Sequence, residues 1–233
     1  DVKKSIHYYT LAADNNNTSA QYNLGVIYAE GKLVHQDAKK SIHYFTLAAN
    51  NNNTSAQLNL GIIYFKGELV PQDVEKSIHY FTLAANNNNT KAQFNLGVIY
   101  EKGELVHQDA KKSIHYYTLA ANNNDTSAQF NLGLIYAKGE LVPQDAKKSI
   151  HYFTLAANNN DTKAQFKLGV IYEEGELVHQ DATRSIHYYT LAADKNTDAQ
   201  LILGVIYAKG ELVHQDVKKS IHYYTLAADN NNT

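Results

Sequence analysis

Several residue types are missing from this chain of 233 residues. It contains no cysteine, methionine or tryptophan and only 2 prolines. Without cysteine there can be no disulfide, thiol nucleophile, thiolate zinc site or iron–sulfur cluster. The 21 basic and 23 acidic residues give a net charge of −2, so no basic excess points to nucleic acid or to an anionic membrane. No apolar run approaches the roughly 20 residues that a membrane-spanning helix needs.

Internal repetition explains the missing residue types. Residues 1–36 and 37–72 are nearly identical, and further copies of this unit of 36 residues follow. Full copies begin at Asp1, Asp37, Asp73, Asp109, Asp145 and Asp181, the last being one residue shorter, and a half copy occupies 216–233. A period of 20–50 residues is typical of solenoids, propellers and arrays. We therefore expect a single array over 1–233, with a half-repeat at 1–18 followed by helix pairs, about 6.5 copies in all.

Each copy contains two helical patterns and no sustained alternation of the kind that strands show. In the second copy, Asp37 is a candidate N-cap for the first helix, which we name helix B. Its apolar face is formed by Ala38, Ile42, Phe45 and Ala49. The asparagines at 50–53 favour a turn, after which Thr54 or Ser55 is expected to cap the next helix, helix A. Helix A carries Ala56, Leu60, Ile63 and Tyr64 on its apolar face and is expected to end at Gly67.

A glycine inside helix A recurs in every full copy. It is Gly61 in the second copy, and its equivalents are Gly25, Gly97, Gly133, Gly169 and Gly204. A glycine in a helix interior costs about 1 kcal/mol relative to alanine. We expect the reason to be close approach of a neighbouring helix, where a Cβ atom would clash.

The unit AQxxLGxxYxxGxxVxxDxxxSIxYYxxAA resembles the Sel1-like repeat, a relative of the tetratricopeptide repeat. The resemblance covers the whole chain, although Leu69 replaces the family's second glycine, and Ser77 and Tyr80 replace an alanine and a tryptophan. It implies an all-α fold, a right-handed α-solenoid of antiparallel helix pairs, with helix A lining the concave face. It also implies a protein–protein interaction scaffold or adaptor, with no catalysis.

Comparison of the copies with one another divides helix A into a constant face and a changing face. The constant residues of the first full helix A include Ala20, Gln21, Leu24 and Gly25, whereas the Ala29 and Asn23 positions change. The changing face is either a partner-binding surface or plain solvated surface. The candidate partner-binding residues are Ala29, Phe65, Glu101, Ala137, Lys167, Glu173 and Ile202. Phe65, taken as an exposed aromatic, is the favoured anchor. The always apolar position of Tyr22 is interpreted as core between repeats.

The sequence does not favour metal binding, nucleic-acid binding or catalysis. One histidine recurs in each helix B, as in His43 and His79, but equivalent residues of stacked repeats lie too far apart to share a zinc ion, and we expect neither a metal nor a cofactor. Paired lysines in helix B are offset by acidic residues, so no nucleic-acid partner is expected. No catalytic constellation stands out, and the chain is not expected to be an enzyme.

Asn-x-Thr/Ser sequons recur in the turns. They lie at Asn16, Asn17, Asn52, Asn53, Asn88, Asn124, Asn160 and Asn231. They are compatible with the secretory pathway, whereas an asparagine-rich turn of a cytoplasmic protein explains them more simply, because a copied unit repeats a single coincidence. The compartment stays open, with the cytoplasmic alternative favoured.

Two functions follow as hypotheses. The first is a scaffold whose helix A face binds a protein or peptide partner. Because the copies are so alike, a partner that is itself repetitive, or one that is extended and loosely recognised, would suit this face. The alternative is a structural spacer or self-associating rod built from near-identical repeats. Because the chain begins and ends with a helix B, we also expect the natural protein to continue past one or both ends.

Overall fold

The computed structural model describes residues 2–230, and within them it contains thirteen α-helices and no strand. Even-numbered helices correspond to helix A and odd-numbered helices to helix B. The helices are α1 (Val2–Asp14), α2 (Thr18–Glu30), α3 (Ala38–Asn50), α4 (Thr54–Lys66), α5 (Val74–Asn86), α6 (Thr90–Lys102), α7 (Ala110–Asn122), α8 (Thr126–Lys138), α9 (Ala146–Asn158), α10 (Thr162–Glu174), α11 (Ala182–Ala192), α12 (Thr197–Lys209) and α13 (Val217–Asn230). The chain divides into two compact units, residues 1–123 and residues 124–233, each with its own core.

Helix A and the helix B that follows it form an antiparallel pair. Tyr28, near the end of α2, lies beneath the ammonium of Lys40 in the first turn of α3. Gly25, one turn earlier in α2, accepts a hydrogen bond of 2.9 Å from the Ser41 hydroxyl. Contacts that step backwards along α2 while stepping forwards along α3 require opposite helix directions. The expected pairing of helices is therefore confirmed.

The close approach expected at the helix A glycine is also present. A Cβ atom on Gly61 would lie 2.5 Å from Cδ1 of Phe81, a fully buried ring of the following helix B. Every equivalent glycine faces the aromatic ring of its own following helix B in the same way. The energetic cost of glycine in the helix is thus offset by packing the two helices in direct contact with the ring.

The caps confirm one expectation and correct another. Asp37 caps α3, its carboxylate accepting from the Lys40 amide at 2.9 Å, and Gly67 ends α4 with a φ of 71°. The cap of α4 is Asn53, however, and not Thr54 or Ser55, which are already helical. The Asn53 side chain accepts from the Ala56 amide at 2.8 Å. Its backbone is extended, whereas Thr54 has entered the first turn, so the asparagine holds the geometry that an N-cap needs.

The asparagine-rich turns also supply a residue with left-handed backbone conformation. The residue before the cap is left-handed in five copies, with φ near 60° at Asn16, Asn52, Asn88, Asn124 and Asn160, a conformation that asparagine tolerates better than most residues. These five sequon residues are exposed, whereas Asn53 is partly buried by its capping role. The sequon at Asn231 lies outside the described residues.

A buried glutamine at the start of helix A connects three consecutive helices. Gln57 is 1% exposed. Its amide nitrogen donates to the Ala49 carbonyl at 3.1 Å, and its amide oxygen accepts from the Asn87 amide of the next repeat at 3.1 Å. The same bridge recurs between Gln129 and Asn159 and between Gln200 and Asn230. In these copies the bridge hydrogen-bonds one repeat to the next and satisfies a glutamine amide that burial would otherwise leave without partners.

Candidate partner-binding surface

The predicted partner-binding residues lie along the helix A surfaces. Five of them occupy one position in the last turn of successive A helices and are all half-buried, namely Ala29, Phe65, Glu101, Ala137 and Glu173. Lys167 is exposed on α10, and Ile202 of α12 packs against the core around Tyr189. The last-turn position of helix A therefore lies at the boundary between the core and the surface.

Phe65 is half-buried, so its interpretation as an exposed aromatic was wrong. Its ring packs on the Phe81 ring of the following helix B, with centroids 6.5 Å apart. It also contacts the buried cluster that includes Leu96 and Ile99 of α6. A helical wheel of α4 alone could not show this, because the covering groups belong to two other helices.

An apolar hollow lies between α4 and α6 in the first unit. Its volume is about 290 Å³, and Phe81 forms part of its lining. Its remaining lining residues are Ile62, Phe65, Lys66, Asn95, Val98 and Ile99. Apart from Lys66 and Asn95, the lining side chains are apolar. The predicted anchor residue therefore forms a wall of a concave apolar site.

Glu101 and Glu173 have partners within the chain. The Tyr117 hydroxyl donates to the Glu101 carboxylate at 2.6 Å, and the Tyr189 hydroxyl donates to the Glu173 carboxylate at 2.5 Å. Burial raises the pKa of Tyr189, and the hydrogen bond to Glu173 raises it further. Both tyrosine residues are fully buried, and each glutamate carboxylate accepts a hydrogen bond from a buried hydroxyl group, which would be costly to leave unsatisfied.

The recurring histidines of helix B are exposed, and each is edge-on to the tyrosine that follows it, as for His43 and Tyr44 with centroids 5.1 Å apart. Residues 2–230 include no group of three or more histidine, aspartate or glutamate side chains placed to hold a metal ion. No helix in this range is long and apolar enough to cross a membrane.

A family model described as the Sel1 repeat matches the chain in seven consecutive segments. The segments are 1–17, 18–53, 54–89, 90–125, 126–161, 162–196 and 197–232. The chain belongs to the Sel1 repeat family. Sel1 repeats are commonly protein-interaction scaffolds, and their fold is a non-catalytic repeat scaffold.

Solved structures support the assignment to the Sel1 repeat family. A Sel1 repeat protein from Oxalobacter formigenes is similar at 30% identity with a TM-score of 0.70, covering 99% of this chain and 100% of that one. The antigen c5321 of uropathogenic Escherichia coli, which displays an SLR fold, is similar at 29% identity with a TM-score of 0.83 over 97% of this chain. The chain spans about half (48%) of the length of c5321. A search of curated proteins finds no significant match.

Sequence reasoning missed a correlation within this Sel1 array. Glutamate occupies the last-turn position of helix A only where the buried ring of the next helix B is a tyrosine, as in Glu101 with Tyr117. Where the ring is phenylalanine, the helix A residue is apolar: it is Ala29 for Phe45, Phe65 for Phe81 and Ala137 for Phe153. Comparison of the two positions across copies would have revealed the pairing. The pair Ala208 and Tyr224 departs from it, and Tyr224 is 39% exposed, so water can reach this ring.

The always apolar position of helix A in this Sel1 array packs between consecutive copies, as expected. Tyr22 contacts Phe45 of α3, with ring centroids 5.8 Å apart, and the buried cluster that Phe45 shares with Leu60 of α4. In the last full copy, the equivalent Leu201 is 40% exposed. The position of Tyr22 in helix A therefore contributes to packing between Sel1 repeats. In the first unit, its side chains are occupied by these contacts and are not available to a partner protein.

Proposed function

We propose that the chain is a non-catalytic adaptor that binds an extended segment of a partner protein on its helix A face. The hollow between α4 and α6 would hold one apolar side chain of that segment, with Phe65 as the anchoring wall. The observation that carries this proposal is the hollow itself, which is concave, predominantly apolar and open at the surface that the sequence predicted.

The size of the hollow favours a peptide side chain over a small-molecule ligand. At about 290 Å³ it lies at the lower limit of the roughly 300–1,000 Å³ of small-molecule sites. Helical repeat arrays present extended binding surfaces, on which one well-filled pocket can dominate the binding energy. Lys66 and Asn95 supply polar groups at the edge, where a peptide backbone can hydrogen-bond.

Phe65 is the residue that distinguishes this copy. The equivalent position is alanine in three copies, Ala29, Ala137 and Ala208. Alanine therefore satisfies the packing above a phenylalanine ring, as it does above Phe153. The extra aromatic surface at Phe65 is consequently available to form a site without being required by the fold.

The test is a selection of peptides from a displayed random library on the intact chain, with counter-selection on Phe65→Ala. This variant installs the residue that three copies carry natively, so the helix pair should be retained. Selected peptides are expected to be apolar at one position and to bind the variant about tenfold more weakly or worse, because one wall of the pocket is lost. Fluorescence anisotropy measures the affinities.

Two further variants localise the binding. Asn95→Lys places at the edge of the hollow the residue that Lys167 supplies natively in another copy, and should also weaken binding. His79→Ala, on the exposed surface of α5, should leave binding unchanged. Peptides that bind wild type and Phe65→Ala equally, or a library that yields no binder, would refute the helix A proposal.

The structural spacer or self-associating rod is a second candidate, supported by the bridge between Gln57 and Asn87 and its equivalents. The same inter-repeat bridge in successive copies suits a stiff element whose length matters more than its surface. Sedimentation velocity over a range of concentrations separates the two forms. A monomer at all concentrations would exclude the self-associating rod, whereas reversible growth in mass would favour it.

A further inference from the structure

A second type of hollow occurs in both units, on the side where helix A leads into the following helix B. In the first unit it lies among α3, the end of α4 and the start of α5, with a volume of about 540 Å³. In the second it lies among α9, α10 and α11, with a volume of about 590 Å³. The lining residues of the second are the sequence equivalents of those of the first at all positions. The hollow is therefore a product of the repeat, formed independently in two units.

The two hollows share an apolar part. In the first it is formed by Ala38 and Ile42 of α3 together with Val70 of the loop. In the second, Ile150 and Val178 occupy the corresponding places. This surface can accept an apolar side chain of a ligand, as the floor of a binding cleft does.

One side of each hollow carries a cation that is already neutralised. The Lys76 ammonium lies 2.9 Å from the Asp73 carboxylate and 5.2 Å from the centre of the Tyr64 ring. In the second unit, Arg184 lies 3.4 Å from Asp181 and donates to the Tyr172 hydroxyl at 3.2 Å. Each Asp–cation pair contributes no net charge, and the aromatic ring fixes the cation in place.

The opposite side of each hollow carries a cation that is not neutralised. Lys39 in the first hollow and Lys147 in the second are exposed, and no carboxylate within residues 2–230 forms an ion pair with either. The remaining titratable groups are the tyrosine of each hollow and, in the second only, His179. Each hollow therefore has one net positive charge beside an apolar surface.

The charge at the Lys39 position varies between copies, although the rest of helix B is nearly constant. It is lysine at Lys3, Lys39, Lys111, Lys147 and Lys218 but glutamate at Glu75 and threonine at Thr183. Only certain repeats thus present the positive charge. This variation gives the helix B surface a pattern of charge along the array.

We propose that the two hollows are docking sites for acidic segments of a partner protein. Each accepts one carboxylate at Lys39 or Lys147 and the adjacent apolar side chain against the Ile42 or Ile150 surface. A single net positive charge complements one carboxylate, whereas the denser charge of a phosphate backbone would need several unneutralised cations, and each hollow has one. This surface is separate from the helix A hollow at Phe65, so either proposal can fail alone.

The test uses a short fluorescent peptide in which glutamate–leucine pairs alternate with glycine–serine pairs. Its binding to the full chain is measured by anisotropy and compared with that of the same peptide carrying glutamine in place of glutamate. The variant Lys39→Glu with Lys147→Glu introduces the residue that Glu75 supplies natively, so the fold should be retained. We expect about five- to tenfold weaker binding by this double variant, and further weakening with salt.

Matched controls localise the binding and distinguish the two kinds of polymer. Glu75→Lys should strengthen binding by adding a third positive position, whereas His115→Ala, on the exposed surface of α7, should leave it unchanged. Amide NMR shifts should concentrate at Ala38 and Val70. The proposal is overturned if the glutamine peptide binds as well, if the double variant binds normally, if no binding is detected, or if single-stranded polyuridine binds more tightly and with the same dependence on Lys39 and Lys147.

Discussion

Replacing Gly133 by alanine should destabilise the second unit, although alanine is the better helix former. An alanine Cβ would lie 2.6 Å from Cδ1 of Phe153, a contact that real Cβ atoms essentially never make. To reach ordinary contact near 3.4 Å the ring must retreat by about 0.8 Å. Phe153 is 0% exposed and surrounded by core residues such as Ala156 and Leu168, so it has nowhere to go without displacing them.

The expected magnitude follows from two opposing effects. Helix propensity favours alanine by about 1 kcal/mol. Overpacking of a dense core costs typically about 1–3 kcal/mol, and the contact at Phe153 is severe enough for the upper part of that range. We therefore expect Gly133→Ala to lower the free energy of unfolding by about 1–2 kcal/mol.

The assay is urea denaturation followed by circular dichroism, with the slope of the transition checked for constancy. Ser127→Ala, an exposed change on the same helix, is the control and should alter stability by less than about 0.5 kcal/mol. The substitution Gly133→Ala should cost less in a Phe153→Leu background, because the ring that it meets has been removed. An increase in stability on Gly133→Ala alone would refute the close-packing explanation of the glycine.

Three further predictions concern the turns, the tyrosine bonds and the caps. Asn88 has a φ of 58°, so Asn88→Gly should keep the stability of the chain, whereas Asn88→Ala should lower the free energy of unfolding by about 1 kcal/mol. Equal stability of the two variants in urea would contradict the assigned role of the left-handed residue. Glu173→Ala should lower the free energy of unfolding by roughly 1 kcal/mol, because it removes the acceptor of the Tyr189 hydroxyl. Adding Tyr189→Phe should restore most of this stability. A double variant that is as unstable as Glu173→Ala would argue against the hydrogen bond. Hydrogen bonds from the Lys76 ammonium and amide lower the pKa of the Asp73 carboxyl in the folded chain. The Asp73 charge therefore stabilises the fold at a pH above the pKa of this group in the unfolded chain. This contribution is lost as the pH falls through the pKa in the folded chain. The thermal midpoint of Asp73→Asn, which keeps a capping side chain, should therefore lie below that of wild type at neutral pH and converge with it below about pH 4; a gap that widens in acid would contradict this.

Much of the fold could be predicted because the determining interactions are local or repeated. The apolar spacing, the Asp37 cap and the Gly67 stop each depend on a few neighbouring residues. The cost of glycine inside a helix, repeated six times, predicted a close interhelical contact before any partner was known. The cap at Asn53 was misassigned because asparagine, threonine and serine are all good N-caps, and a shift of one residue changes no apolar pattern.

The groups that sequence reasoning missed depend on contacts across helices. The Gln57 bridge joins residues 30 positions apart, and the Tyr189 hydroxyl meets a glutamate 16 positions earlier. A helical wheel shows only which residues share a face and not what lies opposite. The partial burial of Phe65 was missed for the same reason, since α6 covers one side of its ring.

The glutamate–tyrosine pairs change how variation on the helix A face is to be interpreted. Variation at the position of Glu101 follows the ring beneath it, so it can arise from packing without any partner. Phe65 differs, because alanine above Phe153 shows that a phenylalanine ring requires no aromatic cover. A near-identical array cannot distinguish one partner sequence from another with its constant residues. We infer that selectivity resides in the departures that packing does not explain. They include Phe65 and the exposed Lys167 on helix A and the change of charge from Lys39 to Glu75 on helix B.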